Sequence, residues 1–138
     1  MDLGETMIAA GIGCRKGTSV EAVLAALAQA LTEAGYGNRQ PDLLATGVIK
    51  ANEPAISQAA HELGIALVIV DQTAIEAAAP RTLTTSEVSL AYAGTPSLCE
   101  AAALAAAGET AQLAAPRIVR DGVTCAIAHT NTELRNIP

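Results

Sequence analysis

Apolar and polar positions along this chain change period several times, and each change marks an element. Met7-Ile8-Ala9-Ala10 is an apolar run of strand length. Residues 18–34 carry apolar side chains at Val20, Val23, Leu24, Leu27 and Leu31, the spacing of three and four that puts one helical face against a core. Thr18 and Glu21 have the spacing of a capping box, and Gly35 stands where a helix closes on a left-handed residue. Residues 36–42 read as a loop, with Gly37, Asn38 and Pro41. Residues 43–49 are a second apolar run. Asn52 or Glu53 then caps a helix with Pro54 in its first turn, and Gly64 stops it. Residues 65–70 are apolar without a break, the pattern of a parallel strand covered on both faces and central in its sheet.

Beyond that strand, Asp71 caps a short helix to Ala78, ended by Pro80. Residues 81–85 are a polar loop, and Ser86 starts a short helix through Tyr92. Gly94-Thr95-Pro96-Ser97 breaks it and opens another, from Leu98 to Ala107, that is almost entirely alanine; a helix so apolar is buried. Residues 116–120 and 123–128 flank Asp121-Gly122, the pair that marks a tight β-hairpin. The order predicts an α/β fold: a parallel β-α-β-α-β core in three layers, helices on both faces, and a C-terminal antiparallel hairpin added at one edge. A single domain fills residues 1–138, with 1–6 and 130–138 as frayed tails.

Composition sharpens the picture in a few places. The chain is 51% apolar yet has no Phe and no Trp, and its only aromatics are Tyr36 and Tyr92, so alanine and branched aliphatics must fill the core and elements can approach closely. The net charge of −6, with no basic face, argues against nucleic acid. Apolar runs such as 65–70 and 101–107 are too short to cross a membrane, and no signal peptide pattern is present. Three widely spaced cysteines, Cys14, Cys99 and Cys125, form neither a disulfide framework nor a zinc pattern. A cytoplasmic setting and no cofactor or metal are the expectation.

Three stretches carry candidate chemistry. Gly11-Ile12-Gly13-Cys14-Arg15-Lys16-Gly17 sits where the first strand hands over to the first helix. Placed in a turn, its glycines aim backbone N–H groups and a helix dipole at a ligand, and Arg15 and Lys16 add positive charge: an anion site. The spacing is neither the dinucleotide fingerprint nor a Walker A loop, and the alternative is a permissive turn with two solvated cations. Thr46 to Glu53 lies at the same edge of a parallel sheet; Lys50 suits an anionic group, and Glu53 suits a ligand amide or Lys50 itself. Gly94 to Glu100 opens a helix with hydroxyls at Thr95 and Ser97, for which a simple cap is the alternative. Cys14 beside Arg15 and a helix start is expected to have a lowered pKa. His61 and His129 are the only histidines, and neither is placed next to Cys14, so no Cys-His pair is expected. The candidate proton-handling residues are Lys50, Glu53 and Glu100.

Gly11-x-Gly13-Cys14-Arg15-x-Gly17, Lys50-x-x-Glu53-Pro54 and the stretch from Gly94 through Cys99-Glu100-Ala101-Ala102-Ala103, in that order, resemble the CobE / CbiG C-terminal domain family of cobalamin biosynthesis. The resemblance runs from about Met7 to His129. Ala55 departs from the glycine common after the Lys-x-x-Glu-Pro motif, and residues 81–93 carry no family role. The resemblance implies a part in making the corrin ring. The longer CbiG proteins are regarded as opening a precorrin ring lactone with loss of acetaldehyde. The present chain is similar to the stand-alone form of the aerobic route, where that step is not required. It implies a polycarboxylated corrin or precorrin as ligand, bound by Gly11, Gly13, Cys14, Arg15, Lys16, Gly17, Thr46, Lys50, Glu53, Thr95 and Ser97. Three functions follow from it: an accessory protein that binds or hands on such an intermediate, a lactone hydrolase, or a ligand-free module docking on another enzyme of the pathway.

Overall fold

A computed structural model of the protein describes residues 7–37, 39–86, 89–91 and 97–130. In chain order they form β1 (Ile8–Cys14), α1 (Val20–Glu33), β2 (Leu43–Gly47), α2 (Pro54–Leu63), β3 (Ala66–Val70), α3 (Gln72–Ala78), α4 (Leu98–Ala107), β4 (Gln112–Leu113), β5 (Ile118–Arg120) and β6 (Val123–His129). Single 3₁₀ turns occupy Val48–Lys50 and Ala79–Arg81. The strands make one sheet in the order β3-β2-β1-β6-β4, with β5 also beside β6. β1, β2 and β3 are parallel, and β6 runs antiparallel to β1 over its whole length, from Ile8 opposite His129 to Cys14 opposite Val123.

Alternation along β1 sorts the layers. Ile8, Ala10, Ile12 and Cys14 join the core under α1 and α2, together with Leu44, Cys125 and Ile127. On the opposite face, α3 and α4 pack with Ala45, Val70 and Ala128. The expected helices on both faces of a parallel β-α-β-α-β core are present. α1 is capped by Ser19, whose hydroxyl accepts from the Ala22 N–H at 3.1 Å. Thr18, the cap read from the capping-box spacing, instead turns its hydroxyl back to the Arg15 carbonyl. Asp71 caps α3 through the Ala74 N–H, and Gly64 ends α2 in the left-handed conformation, as the pattern predicts. The Asp121-Gly122 turn has φ of 51° and 79°, the pair of positive values a two-residue hairpin requires.

Four expectations about the strands are corrected. Gly11 and Gly13 lie inside β1 and not in a turn, because the strand continues to Cys14. β3 is an edge strand rather than a central one among the described residues, with Ala66 and Ile69 exposed; its apolar continuity reflects cover from α2 on one face and α4 on the other without a described strand beyond it. The hairpin does not sit at one edge as a unit: β6 is inserted beside β1 in the middle of the sheet, and β4 and β5 share its far side. The second strand also stops at Gly47, two residues short, where the chain turns into the 3₁₀ segment. Of the expected tails, residues 1–6 and 131–138 lie outside the described residues, as does Tyr92 at the end of the expected helix; Thr130 is not frayed, since its N–H donates to the Met7 carbonyl at 3.1 Å and its hydroxyl accepts from the Met7 N–H at 3.2 Å. Within the expected helix, residues 89–91 are helical and the Leu90 N–H donates to the Ser86 carbonyl at 3.0 Å.

α4 lies directly against the strand backbone. A Cβ built on Gly11 would fall inside the Cys99 carbonyl and 2.9 Å from the Ala103 nitrogen, both backbone atoms of the helix. Only glycine allows that approach. Gly13 is different, since its Cβ would meet only the Thr124 hydroxyl, 2.8 Å away. Gly11→Ala should therefore lower folding stability by roughly 3 kcal/mol or more, at or above the usual overpacking range, and Gly13→Ala by about 1 kcal/mol, because a hydroxyl can turn away and a helix backbone cannot. Urea midpoints of the two variants check this; equal midpoints would show that α4 moves freely on the sheet.

Candidate functional site

The loops after β1 and β2 meet at the carboxyl edge of the sheet, and Cys14 marks where. Its thiol is buried and feels the charges of both Glu53 and Lys50, one ahead of α2 and the other ending the 3₁₀ turn after β2. Burial, and secondarily the Glu53 carboxylate, push the Cys14 pKa up; a hydrogen bond with Thr18 and the Lys50 charge pull against this without winning. The lowered pKa expected from Arg15 is thus corrected. Desolvation outweighs the neighbouring cation, and the Arg15 side chain points elsewhere, its aliphatic stem lying against Gly122 in the hairpin turn, where the Arg15 backbone N–H also donates to the Gly122 carbonyl at 3.1 Å. The turn itself is made by residues 15–18, where the Arg15 carbonyl accepts from the Thr18 N–H at 3.2 Å and Gly17 takes a φ of 82°. Arg15 and Lys16 are exposed at its tip.

The charged side chains of the loops after β1 and β2 are unbonded. Arg15, Lys16, Lys50 and Glu53 make no side-chain hydrogen bond and no ion pair with any described residue. Lys50 and Glu53 are joined only through the backbone, where the Glu53 N–H donates to the Lys50 carbonyl at 3.1 Å.

Other predicted residues are committed to the fold. Thr46 is buried, and its hydroxyl donates to the Ile12 carbonyl at 2.7 Å, just above the point where the β1–β2 ladder ends at Gly11 opposite Ala45. Ser97 is buried at the start of α4 with its oxygen 3.8 Å from the Cys99 sulfur, and it caps no N–H group of that helix. The Leu98 N–H is met instead by the Ser89 hydroxyl at 3.0 Å. Thr95 lies outside the described residues. Glu100 is fully buried, and its carboxylate accepts four hydrogen bonds: from the N–H groups of Leu83 and Thr84 at 3.0 and 2.8 Å, the Thr84 hydroxyl at 3.0 Å and the Arg117 N–H at 3.1 Å. That set fastens residues 83–84 and the start of the hairpin to α4, so this carboxylate is a clip between segments. Only the first-turn acid in the sequence hinted at it, since its partners are backbone groups.

The histidines sit apart from the thiol. His129 pairs with Ile8 at the opposite end of β1 from Cys14, and its ring meets Tyr36 edge-on with a Tyr36 hydroxyl–Nδ1 hydrogen bond. Burial lowers its pKa. His61 is exposed in the last turn of α2. Among the described residues no group of His, Cys, Asp and Glu has the arrangement of a metal site, and no helix is long and apolar enough to cross a membrane. A shallow groove of about 460 Å³, lined by Ala25, Ala28, Gln29, Thr32, Glu33 and Arg120, lies on the outer side of α1 and contains none of the predicted residues.

These features define a three-layer α/β domain whose β-α loops converge at one sheet edge. A sequence profile of the family described as "Cobalamin synthesis G C-terminus" matches residues 8–128, and the chain belongs to that family of cobalamin biosynthesis. It is 36% identical over 118 residues to Protein CobE of a Sinorhizobium species, spanning 86% of this chain and 77% of that one. Among solved structures it is similar to CobE, described as a protein from the cobalamin (vitamin B12) biosynthetic pathway, at a TM-score of 0.84 and 34% identity over 90% of this chain and 93% of the other. The cobalamin biosynthesis protein chiG of Agrobacterium tumefaciens matches at a TM-score of 0.72 and 48% identity, covering 90% and 98%. A putative cobalamin biosynthesis protein G homolog of Sulfolobus solfataricus shares the fold, with a TM-score of 0.62 over 36% of its own length.

Two outcomes are expected of the buried groups. Glu100→Gln replaces an acceptor with an amide N–H₂ facing the Arg117 N–H or the Leu83–Thr84 pair, and should cost roughly 2–3 kcal/mol in urea unfolding. Native Cys14 should react with iodoacetamide at pH 8 at least tenfold more slowly than in the unfolded chain, since burial keeps it neutral and covered; equal rates would mean an open, ionised thiol.

Proposed function

We propose that the protein binds a polycarboxylated corrin or precorrin intermediate at the carboxyl edge of its sheet and hands it on, as an accessory protein of the aerobic route to cobalamin. The observation that carries this reading is the set of charged side chains there that the fold does not use. Lys50, Arg15 and Lys16 are free for ligand carboxylates, and a charge-assisted hydrogen bond from each is the strongest contact a surface cation can offer. Glu53 can accept from a ring or side-chain N–H. The relatives' names supply the pathway, and the resemblance of the loop motifs supplies the ligand class.

Groups suited to reaction chemistry are less available. The Cys14 thiol is held protonated, and the Glu100 carboxylate is filled by four donors. A hydrolase would have to work with Lys50 and Glu53, whose side chains have no hydrogen-bonded neighbour among the described residues to orient them for proton transfer.

A visible-absorption titration with hydrogenobyrinic acid, a metal-free corrin with free carboxylates, tests the reading. Stoichiometric binding is expected. Arg15→Ala and Lys50→Ala should each weaken it about tenfold, the ~1.4 kcal/mol of one charged hydrogen bond, with thermal stability nearly unchanged. Cys14→Ser should stay within a few-fold. Mass spectrometry of a precorrin bearing an intact lactone, incubated with excess protein, should return it unchanged. An opened ring with released acetaldehyde, abolished in Glu53→Gln, would make the protein a hydrolase instead.

A further inference from the structure

The hairpin leaves one strand edge of the sheet open. β5 pairs with β6 through Ile118 opposite Cys125, Val119 opposite Thr124 and Arg120 opposite Val123, and no described strand pairs with its other side. The two-residue Asp121-Gly122 turn makes Arg120 and Val123 a hydrogen-bonded pair, so the alternation of an antiparallel ladder turns the Val119 N–H and C=O outward. Val119 is 61% exposed, more than any other large apolar residue described. α1 packs over β5 and β6, and the Arg120 guanidinium donates to the Gln29 amide oxygen at 3.2 Å. That bond joins the open edge to the groove of about 460 Å³ on the outer side of α1, whose lining includes Ala25, Ala28, Gln29 and Arg120. Edge and groove are therefore one continuous surface.

We propose that this surface joins two copies of the chain about a two-fold axis beside Val119, with the β5 strands pairing antiparallel and the α1 helices packing side by side. With Val119 opposite its own copy, the outward N–H of each donates to the C=O of the other, and the two sheets become one. Charge selects a second copy in this orientation. The same register sets Arg117 of one copy beside Asp121 of the other, and does so twice. The Arg117 backbone N–H is held by Glu100, but its guanidinium has no hydrogen bond or ion pair among the described residues. The Asp121 side chain is 75% exposed, with Arg120 at 3.9 Å as its one described ion-pair partner. Parallel pairing would instead set Arg117 against Arg117. The helices fit as well. Since α1 lies over β5 and β6, its copy comes to roughly two strand spacings away, about 10 Å, the distance of packed helices, and Ala25 and Ala28 leave room for that approach. The acids on this face of α1 are Glu21 and Glu33. With the helices crossing at Ala28 and Gln29, beside Arg120, Glu33 comes opposite Leu24 and Glu21 opposite Tyr36, so neither meets its own kind.

Sedimentation equilibrium of the full chain tests this, and wild type should be a dimer at about 100 μM. Val119→Pro deletes an N–H that β6 does not use, and should weaken the dimer about tenfold or more. Ala28→Arg, at an exposed helix position, fills the groove and should do the same. Arg117→Glu sets an acid beside Asp121 of the other copy and should weaken the dimer about fivefold at low salt; adding Asp121→Asn, which keeps the turn, should recover most of that loss. Ile69→Ser, on β3 at the opposite edge of the sheet, should leave the dimer within about twofold of wild type. Circular dichroism of every variant should match wild type, since the substituted groups face outward; should Val119→Pro unfold, Ala28→Arg and the charge variants decide. A wild-type monomer at about 100 μM overturns the proposal. So does a dimer that Val119→Pro and Ala28→Arg leave unchanged, or one that Ile69→Ser abolishes, which would move the contact to β3.

Discussion

The contact between α4 and β1 at Gly11 is the constraint on which the rest of this structure depends. A core without Phe or Trp gains little area per residue, so its cohesion has to come from close approach. Gly11 lets the helix backbone at Cys99 and Ala103 rest on the strand backbone, and the alanines of α4 keep that approach open along the helix. Six successive residues, from Cys99 to Leu104, are buried as a result. The middle of α4 is covered by the sheet beneath it and by α3 beside it, while Leu98 and Ala105 to Ala107 at its ends are partly exposed. The position of its first turn then follows. Leu98 is laid over Gly47, and Glu100 is carried into the interior.

A buried carboxylate with no cation against it would be costly, and Glu100 avoids the cost through number of donors rather than opposite charge. Four hydrogen bonds, three of them from backbone N–H groups, supply what water would have supplied. Those donors come from two segments that make few bonds of their own, so the same arrangement that solvates Glu100 ties residues 83–84 and Arg117 to α4. Arg81 does similar work at the other end of the helix, donating to the Gly108 and Ala111 carbonyls at 3.2 and 2.6 Å. The long connection after α3 is thereby fastened near both ends of α4, which holds Ser89 beside Leu98.

Much of this fold was legible because its signals are local. Pro54 at the start of α2, Gly64 and Gly35 at helix ends, Asp71 as a cap and Asp121-Gly122 as a turn each act through their own backbone geometry, which sequence displays. Apart from a cap placed one residue early at Thr18 and a strand end placed two residues late after Gly47, the failures are non-local. Residues 65–70 look the same in a central strand and in an edge strand covered by helices, and nothing in them says whether a neighbour exists. Gly11 and Gly13 follow a strand and precede a helix, which fits a turn; only the arrival of α4, far along the chain, makes Gly11 a strand residue in need of no side chain. The site divides the same way. Lys50, Glu53, Arg15 and Lys16 could be named as candidates because charge on a β-α loop is a sequence property; that their side chains have no partner among the described residues is visible only in the fold. The commitments of Thr46 to Ile12 and Glu100 to Leu83, Thr84 and Arg117 depend on partners at other places in the chain.

The side chains of the carboxyl edge fall into two sets by how they are held. Thr46, Ser89, Thr124 and Glu100 each have their polar atoms engaged, the Thr124 hydroxyl by the Gly13 carbonyl at 3.3 Å. They fix where the loops stand. Lys50, Lys16, Arg15 and Glu53 have their functional ends uncommitted. Such a division suits binding, because rigid placement of the loops lowers the ordering cost of association while the uncommitted groups supply the contacts. It also suits release. Contacts made by exposed cations are separately weak, and a ligand held by several of them can leave by losing them one at a time. Catalysis asks for something else: a reacting group whose pKa or position is tuned by neighbours aimed at it. Here the groups so surrounded are Cys14, which burial keeps neutral, and Glu100, whose four donors tie it to the fold.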